Sequence, residues 1–195
     1  MKVAKLSGAL ADPQWAGWSG ADGATVALKP VALESQPNAY IREAWKDRDY
    51  GQVAEGQVKA ASDGERLYLR VEWPDDPAPN AEFQDAVSAI FPTNGSGVLA
   101  TLGDADKPLV LWFWENGRPE ALRLISRGPG VFRRDTGDGV AAAGVLADGR
   151  WSVVLSGPAA IGAKGKVGLA VWNGSNDERA GLAAVSREWL PLEMD

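Results

Sequence analysis

The chain has 195 residues, of which 45% are hydrophobic and 24% are charged, with a net charge of -6 and an isoelectric point near 4.8. This acidic balance argues against nucleic acid or an anionic membrane as a partner, and no apolar run is long enough to span a bilayer. The sequence contains neither cysteine nor histidine, which excludes disulfides, thiolate nucleophiles, Ser-His-Asp triads and the usual zinc and copper sites.

Short segments of alternating hydrophobicity, separated by Gly, Asp and Pro, follow one another along most of the chain. In GERLYLRVEWP the residues Leu67, Leu69, Val71 and Trp73 alternate with polar or longer side chains, and this period of two predicts a strand with one buried face. We predict further strands at residues 57–60, 85–92, 109–114, 121–125, 140–146, 151–155, 166–172 and 185–192.

The connections between these segments predict tight turns and one short helix at most. Asn116-Gly117 and Asp148-Gly149 tolerate positive φ and favour two hairpins. Residues 37–50 have a weak helical pattern, and a loop with an aromatic anchor is an equal alternative. At least eight short strands predict an all-β fold, an antiparallel two-sheet β-sandwich with at most one or two short helices. We expect one domain over residues 1–195.

The densest aromatic run, Trp112-Phe113-Trp114, lies in one predicted strand. The two tryptophans must point to one face and Phe113 to the other. The strand is therefore either central in the sandwich or has one face lining a cavity, with Trp112 and Trp114 as candidate pocket walls. The nine tryptophans of the chain are core anchors in one interpretation and a stacking platform for sugars in the other.

Four arginines, Arg123, Arg127, Arg133 and Arg134, cluster in this acidic chain. They could dock an acidic partner or hold the carboxylates of a cofactor. The alternative is a solvated hairpin edge that its charges protect from pairing with other chains.

Several segments in order resemble a known family, the haem b-binding gamma subunits of the ethylbenzene-dehydrogenase type. These subunits belong to molybdenum enzymes of the dimethyl-sulfoxide-reductase family, which also include dimethyl-sulfide, selenate and chlorate oxidoreductases. The resemblance covers nearly the whole chain. The segments that carry it are VAKLSG, EWPDD, DAVSAIFP, PLVLWFW, VGLAVWNGSNDERAG and AVSREWLPLEM.

The resemblance implies a β-sandwich that holds one non-covalent haem b between a methionine and a lysine. The methionine position precedes a glycine in the loop before the PLVLWFW strand, and here it is Leu102, followed by Gly103. The lysine position falls in ERAGLAAVS and is Ala183. Iron requires a lone pair from its axial ligands, and neither leucine nor alanine supplies one. We therefore expect no bound haem.

The resemblance further implies a non-catalytic accessory subunit with a catalytic molybdenum subunit and an iron-sulfur subunit as partners. With the ligands lost, we expect a role in assembly or docking, in the periplasm. The start MKVAKLSGALADP has no apolar region typical of a signal peptide, and a chain whose leader had been removed would look the same. Two alternatives stay open: a haem b electron-transfer subunit with other ligands, and a sandwich that binds carbohydrate or another small ligand.

Overall fold

The structure, a computed structural model, describes residues 1–76, 81–94, 97–137 and 139–194. In chain order the strands are β1 (Ala4–Lys5), β2 (Gly23–Pro30), β3 (Glu55–Ser62), β4 (Arg66–Pro74), β5 (Ala86–Pro92), β6 (Leu109–Glu115), β7 (Leu122–Ser126), β8 (Phe132–Arg134), β9 (Ala141–Ala147), β10 (Arg150–Pro158), β11 (Lys166–Trp172), β12 (Ala184–Ser186) and β13 (Leu190–Pro191). Within these described ranges, one α-helix, α1 (Ala39–Trp45), and five short 3-10 helices lie between the strands.

The strands form two layers that share one strand. In the first sheet β3 pairs with β1, β2 and β4, and β10 pairs with β4 and β9. In the second sheet the order is β8-β7-β6-β5-β11-β12, and β13 pairs with the start of β11. Residues 23–27 of β2 pair with β3, whereas residues 28–30 pair with β12. Except for the parallel β1–β3 pair, these strand pairs are antiparallel.

The main core lies between the two sheets because every second residue of the central strands points inward. The first sheet contributes the predicted face of β4, Leu67 to Trp73, and Trp151 of β10. The second sheet contributes Val87 and Phe91 of β5 together with Trp112 and Trp114 of β6. The all-β sandwich predicted from the alternation is therefore confirmed.

Smaller apolar clusters cover the outer face of each sheet. On the first sheet, the N-terminal segment brings Leu10 and Trp18 over Tyr68. Tyr68 was predicted on the polar face of β4, yet it is only 8% exposed because this segment covers it. On the second sheet, the loops around residues 99–102 and 182–185 cover the outer face and form the candidate site.

Several predicted elements differ from the structure in extent. The predicted strand at residues 185–192 is interrupted: β12 pairs with β11 and β2, and the separate β13 pairs with the first residues of β11. The strands β1, β2 and β8 were not predicted. The weak helical pattern forms α1, which Asn38 caps by accepting a hydrogen bond from the N–H of Tyr40.

Candidate functional site

The candidate site is an apolar cluster on the outer face of the second sheet. Its floor consists of alternate residues of the central strands, namely Ala86, Ile90, Leu109, Leu111, Leu124, Ala170 and Trp172. Its cover includes Leu99, Leu102 and Ala183 from two loops that are distant in sequence. The structure thus brings the two predicted ligand positions, Leu102 and Ala183, into the same buried cluster, and both are 0% exposed.

The backbone at Leu102 has a conformation that is unusual for leucine. Leu102 ends the 3-10 helix Leu99–Thr101 with φ 54° and ψ 37°, in the left-handed region. Its N–H donates to the carbonyl of Leu99 at 2.8 Å, and the N–H of Gly103 donates to the carbonyl of Val98 at 2.8 Å. The hydroxyl of the buried Ser126 donates to the carbonyl of Leu102. These hydrogen bonds fix the loop and direct the leucine side chain into the core.

Ala183 lies in a segment that is held from several sides. Its carbonyl accepts a hydrogen bond from the N–H of Val31 at 2.9 Å. Two residues earlier, the carbonyl of Gly181 accepts from the amide of the buried Gln36 at 2.7 Å. The segment therefore packs tightly against the loop after β2, and the methyl group of Ala183 adds to the apolar cover.

The two side chains do not fit axial ligation of a haem iron, because neither a leucine nor an alanine side chain carries a lone pair. Lys107, in the same loop as Leu102, is exposed to solvent. Met194 is 37% exposed at the end of the described chain. Tyr50 lies beside the cluster that contains Leu102 and Ala183, because its hydroxyl donates to the carbonyl of Val31, a member of that cluster. Burial raises the pKa of Tyr50, and this disfavours the phenolate that iron would need.

Trp112 and Trp114 lie on the opposite face from Leu102 and Ala183. Both belong to the core between the sheets, where Trp112 contacts Phe91 at a centroid distance of 4.7 Å and Trp114 contacts Trp151 at 5.0 Å. The outward aromatic of this strand is Phe113, which packs edge-on against Trp172 at 5.5 Å. Trp112 and Trp114 therefore face the core between the sheets, and Phe113 is the aromatic side chain of this strand that packs against the cluster of Leu102 and Ala183.

The arginine cluster is partly neutralised within the fold. The guanidinium of Arg123 lies 2.8 Å from a carboxylate oxygen of Asp135, and that of Arg134 lies 3.5 Å from Glu120. Arg127 and Arg133 are exposed and make no ion pair with any residue in the described ranges. This arrangement agrees with a charged hairpin edge, and β8 is indeed the outermost strand of its sheet.

Two buried carboxylates that the sequence did not single out lie beside the site. Glu178 is 1% exposed and accepts hydrogen bonds from the N–H groups of Gly51 at 2.7 Å and Asn173 at 2.9 Å. Asp85 is 5% exposed and accepts from the N–H of Gly174 at 2.9 Å. Both join loops to the ends of strands, which no local pattern in the sequence reveals.

Comparisons with known proteins show which proteins this chain is similar to. No family model matches it. It is 28% identical over 197 residues to a protein of Haloferax mediterranei named as a respiratory nitrate reductase haem subunit, covering 84% of this chain and 71% of that protein. It is 33% identical over 144 residues to the chlorate reductase gamma subunit of Ideonella dechloratans, covering 65% of this chain and 59% of that subunit.

A third relative is the dimethylsulfide dehydrogenase gamma subunit of Rhodovulum sulfidophilum, 28% identical over 163 residues, which cover 70% of this chain and 59% of that subunit. The chain thus spans less than two thirds of the length of the two gamma subunits. All three relatives are named as haem or gamma subunits of oxidoreductases and none as a catalytic subunit, in agreement with the predicted non-catalytic role.

Two solved structures share the fold. A carbohydrate-binding module of family 9 from Caldicellulosiruptor kristjanssonii, in complex with glucose, aligns over 100% of this chain and 95% of its own with a TM-score of 0.51 and 11% identity. A carbohydrate-binding protein of Bacteroides uniformis aligns over 100% of this chain and 98% of its own with a TM-score of 0.53 and 12% identity. At these identities the likeness concerns the fold alone.

Two further observations concern the described residues only. No helix in them is both long and apolar enough to cross a membrane, and they contain no group of three or more His, Cys, Asp or Glu side chains arranged to hold a metal ion. The three relatives agree with the resemblance carried by the order of motifs: this chain is similar to the gamma subunits of chlorate reductase and dimethylsulfide dehydrogenase and to a nitrate reductase haem subunit.

Proposed function

We propose that this chain is a gamma-type accessory subunit of a molybdenum oxidoreductase that has lost its axial ligands and works without haem b. Its role is the assembly or docking of the complex, and its partners are a catalytic molybdenum subunit and an iron-sulfur subunit. The complex resides in the periplasm, as the family resemblance implies. Kinship to named gamma subunits supports the accessory role.

The observation that carries the proposal is the pairing of Leu102 and Ala183 in one buried cluster. Two positions 81 residues apart in the sequence are expected to meet if they once held the same iron from opposite sides. Both are fully buried among apolar side chains. A haem placed between them would meet a leucine isobutyl group and a methyl group, and neither can replace a water molecule or another donor on iron.

One donor in the Leu102 loop and one beside the cluster support the same conclusion. A lysine must be neutral to bind iron, which requires burial, and the only lysine in the Leu102 loop, Lys107, is exposed. Tyr50 adjoins the cluster, but its hydroxyl already donates to the Val31 carbonyl. We expect the residual affinity for porphyrin to come from apolar contact alone, without a defined axial ligand.

Haem titration tests the cofactor part of the proposal. We expect the purified chain to give no sharp six-coordinate Soret band after addition of one equivalent of haem and removal of the excess by gel filtration. A stoichiometric six-coordinate spectrum in both oxidation states overturns the haem-free proposal. In that case the variant Tyr50→Phe identifies the ligand, because loss of the spectrum assigns Tyr50 and its retention points to a lysine or methionine.

Co-purification tests the accessory role independently of haem. The affinity-tagged chain is produced in its own host, and the captured proteins are identified by mass spectrometry and assayed for molybdenum and iron. We expect a molybdenum subunit and an iron-sulfur subunit in equal amounts. Deletion of the gene should lower the yield of the assembled complex. If the captured material contains no metal and the complex assembles normally without the chain, the proposed role is wrong.

A further inference from the structure

A small cavity with aromatic walls opens at one end of the outer face of the second sheet. Its volume is about 180 Å³, and it is lined by Phe83, Phe113, Phe132 and Trp172 around Ala86. We call it the aromatic cavity. Phe113 lies four residues along β6 from Leu109 in the floor beneath Leu102, which corresponds to about 13 Å. A cavity of roughly 150 Å³ takes a molecule of benzene size, so this one has room for a ligand slightly larger.

The walls of the aromatic cavity favour positive charge. The face of an aromatic ring carries the negative part of its quadrupole and attracts cations. One of the rings already does so, since the guanidinium carbon of Arg179 lies 3.9 Å from the centroid of Phe83. Glu178, which is 1% exposed, also lines the cavity. Burial raises the pKa of the Glu178 carboxyl group, but both of its oxygens accept N–H donors, from Gly51 and Asn173, and these hydrogen bonds favour the ionised form.

The rim of the aromatic cavity carries one cation that has no counterion. Arg179 is exposed, and within the described ranges it makes no ion pair. Its guanidinium group lies over the ring of Phe83 and carries five N–H donors in a fork. Such a fork is well suited to a carboxylate. Glu115, which also lines the cavity, is already paired with Arg118 at the neighbouring turn.

We propose that the aromatic cavity binds a small zwitterion that carries a methylated ammonium group and a carboxylate. The ammonium group lies among the rings and beside Glu178, and the carboxylate pairs with Arg179 at the rim. An aromatic anion of the same size would be repelled by the Glu178 carboxylate. A simple organic cation would meet the unpaired charge of Arg179. The aromatic cavity shares Ala86 and Trp172 with the floor of the cluster that holds Leu102 and Ala183, so the proposal rests on the haem-free state of the chain, which the haem titration tests separately.

Calorimetric titration of the isolated chain with three probes tests the ligand class. We expect saturable binding of glycine betaine, weaker binding of tetramethylammonium, and no binding of benzoate. Nuclear magnetic resonance locates the site, because the indole N–H signal of Trp172 should move with glycine betaine while that of Trp73 in the inner core stays in place. Tighter binding of benzoate than of glycine betaine, or no saturable binding of glycine betaine, overturns the proposal.

Three variants test the assigned contacts. Arg179→Gln should weaken glycine betaine about tenfold or more, through loss of the charged hydrogen bond, without weakening tetramethylammonium. Ala86→Leu fills the cavity and should abolish binding of both. Phe83 lies outside the core clusters, and Phe83→Leu should weaken the binding of both ligands. This variant tests the role of the cavity if Ala86→Leu does not fold. The matched control Arg133→Gln removes an exposed arginine that does not line the cavity. If glycine betaine binds equally well to the parent and to Arg179→Gln, the proposed pairing is wrong.

Discussion

Asp75 and Asp85 accept hydrogen bonds from the same indole N–H, because Nε1 of Trp151 lies 3.1 Å from Oδ2 of each. The arrangement joins the end of β4, the start of β5 and the second residue of β10. Two carboxylates that share one donor cannot both ionise without repulsion. Burial, and next the charge of Asp85, raise the pKa of Asp75 to about 6.

Because the pKa of Asp75 is raised, its contribution to the free energy of unfolding should fall as the pH rises towards neutrality. An unfolded aspartate has a pKa of about 3.9, so between pH 4 and 6 the folded state binds more protons than the unfolded state, and the free energy of unfolding decreases with pH. Asp75 is partly exposed, so we expect a loss of only about 1 kcal/mol. The variant Asp75→Asn should remove this part of the pH dependence in urea unfolding. The exposed neighbour gives the control Asp76→Asn, which should keep it. An unchanged slope in Asp75→Asn contradicts the prediction.

The left-handed backbone at Leu102 predicts that a glycine variant at this position is at least as stable as the alanine variant, which is the reverse of the usual order. Leu102→Ala should lose about 3–5 kcal/mol because it leaves a cavity in the buried cluster. Leu102→Gly removes the same side chain and relieves a backbone strain of about 1 kcal/mol, so it should be no less stable than Leu102→Ala. Leu99 lies in the same cluster with negative φ, and there glycine should be the worse of the two. Urea unfolding of the four variants measures both orders. If alanine is more stable than glycine at both positions, the left-handed backbone does not strain Leu102.

Restoring the lost donors tests the assignment of the two ligand positions. Leu102→Met combined with Ala183→Lys should raise haem uptake well above that of the parent and produce a six-coordinate spectrum. Leu102→Met alone conserves volume and should cost less than about 1.5 kcal/mol, so it serves as the folded control with one donor. The double variant Leu99→Met with Ala183→Lys is the matched control, because it places the methionine sulfur at a neighbouring buried position instead of at residue 102. Equal haem uptake by the double variant and the parent means that the residue assignment is wrong.

Two glycines lie so close to the tryptophans of β6 that replacing them with alanine should destabilise the fold. A Cβ atom on Gly157 would lie 2.4 Å from Cζ2 of Trp112, and one on Gly144 would lie 2.4 Å from Cζ2 of Trp114. Gly157→Ala should therefore cost about 1–3 kcal/mol through overpacking. Gly56→Ala is the control, since its Cβ would lie 3.5 Å from the nearest atom, in Leu169. Thermal unfolding compares the two. If Gly157→Ala is as stable as Gly56→Ala, the tight contact with Trp112 is not rigid.

Local patterns predicted the sandwich because most of its strands alternate and its hairpins use standard turn residues. At one predicted turn Asp148 and Gly149 do have positive φ, at 51° and 69°, and β9 pairs with β10 across it. Strand β2 was missed because Gly23–Pro30 has small residues and a weak alternation. The break between β12 and β13 follows from pairing partners that are far away in sequence, which no short pattern encodes.

For the site, the sequence predicted which residues share a face but not what each face contacts. Parity correctly separated Phe113 from Trp112 and Trp114. It could not tell which face of β6 lies towards the loop of Leu102, because that depends on the packing of the second sheet. The buried carboxylates Asp85 and Glu178 escaped notice for a related reason, since their donors come from distant loops.

The strand shared by the two sheets gives the molecule a closed side and an open side. Because β2 is hydrogen-bonded to both layers, the layers cannot part there without rupture of a continuous ladder. The far margins, β8 and β9, each pair on one side only. We therefore expect the two sheets to separate first at the side of β8 and β9 and last at the side of β2. In hydrogen exchange, the amide hydrogens of β8 and β9 should exchange first and those of β2 and β3 last. A partner that needs a deformable surface would find it along the margin formed by β8 and β9.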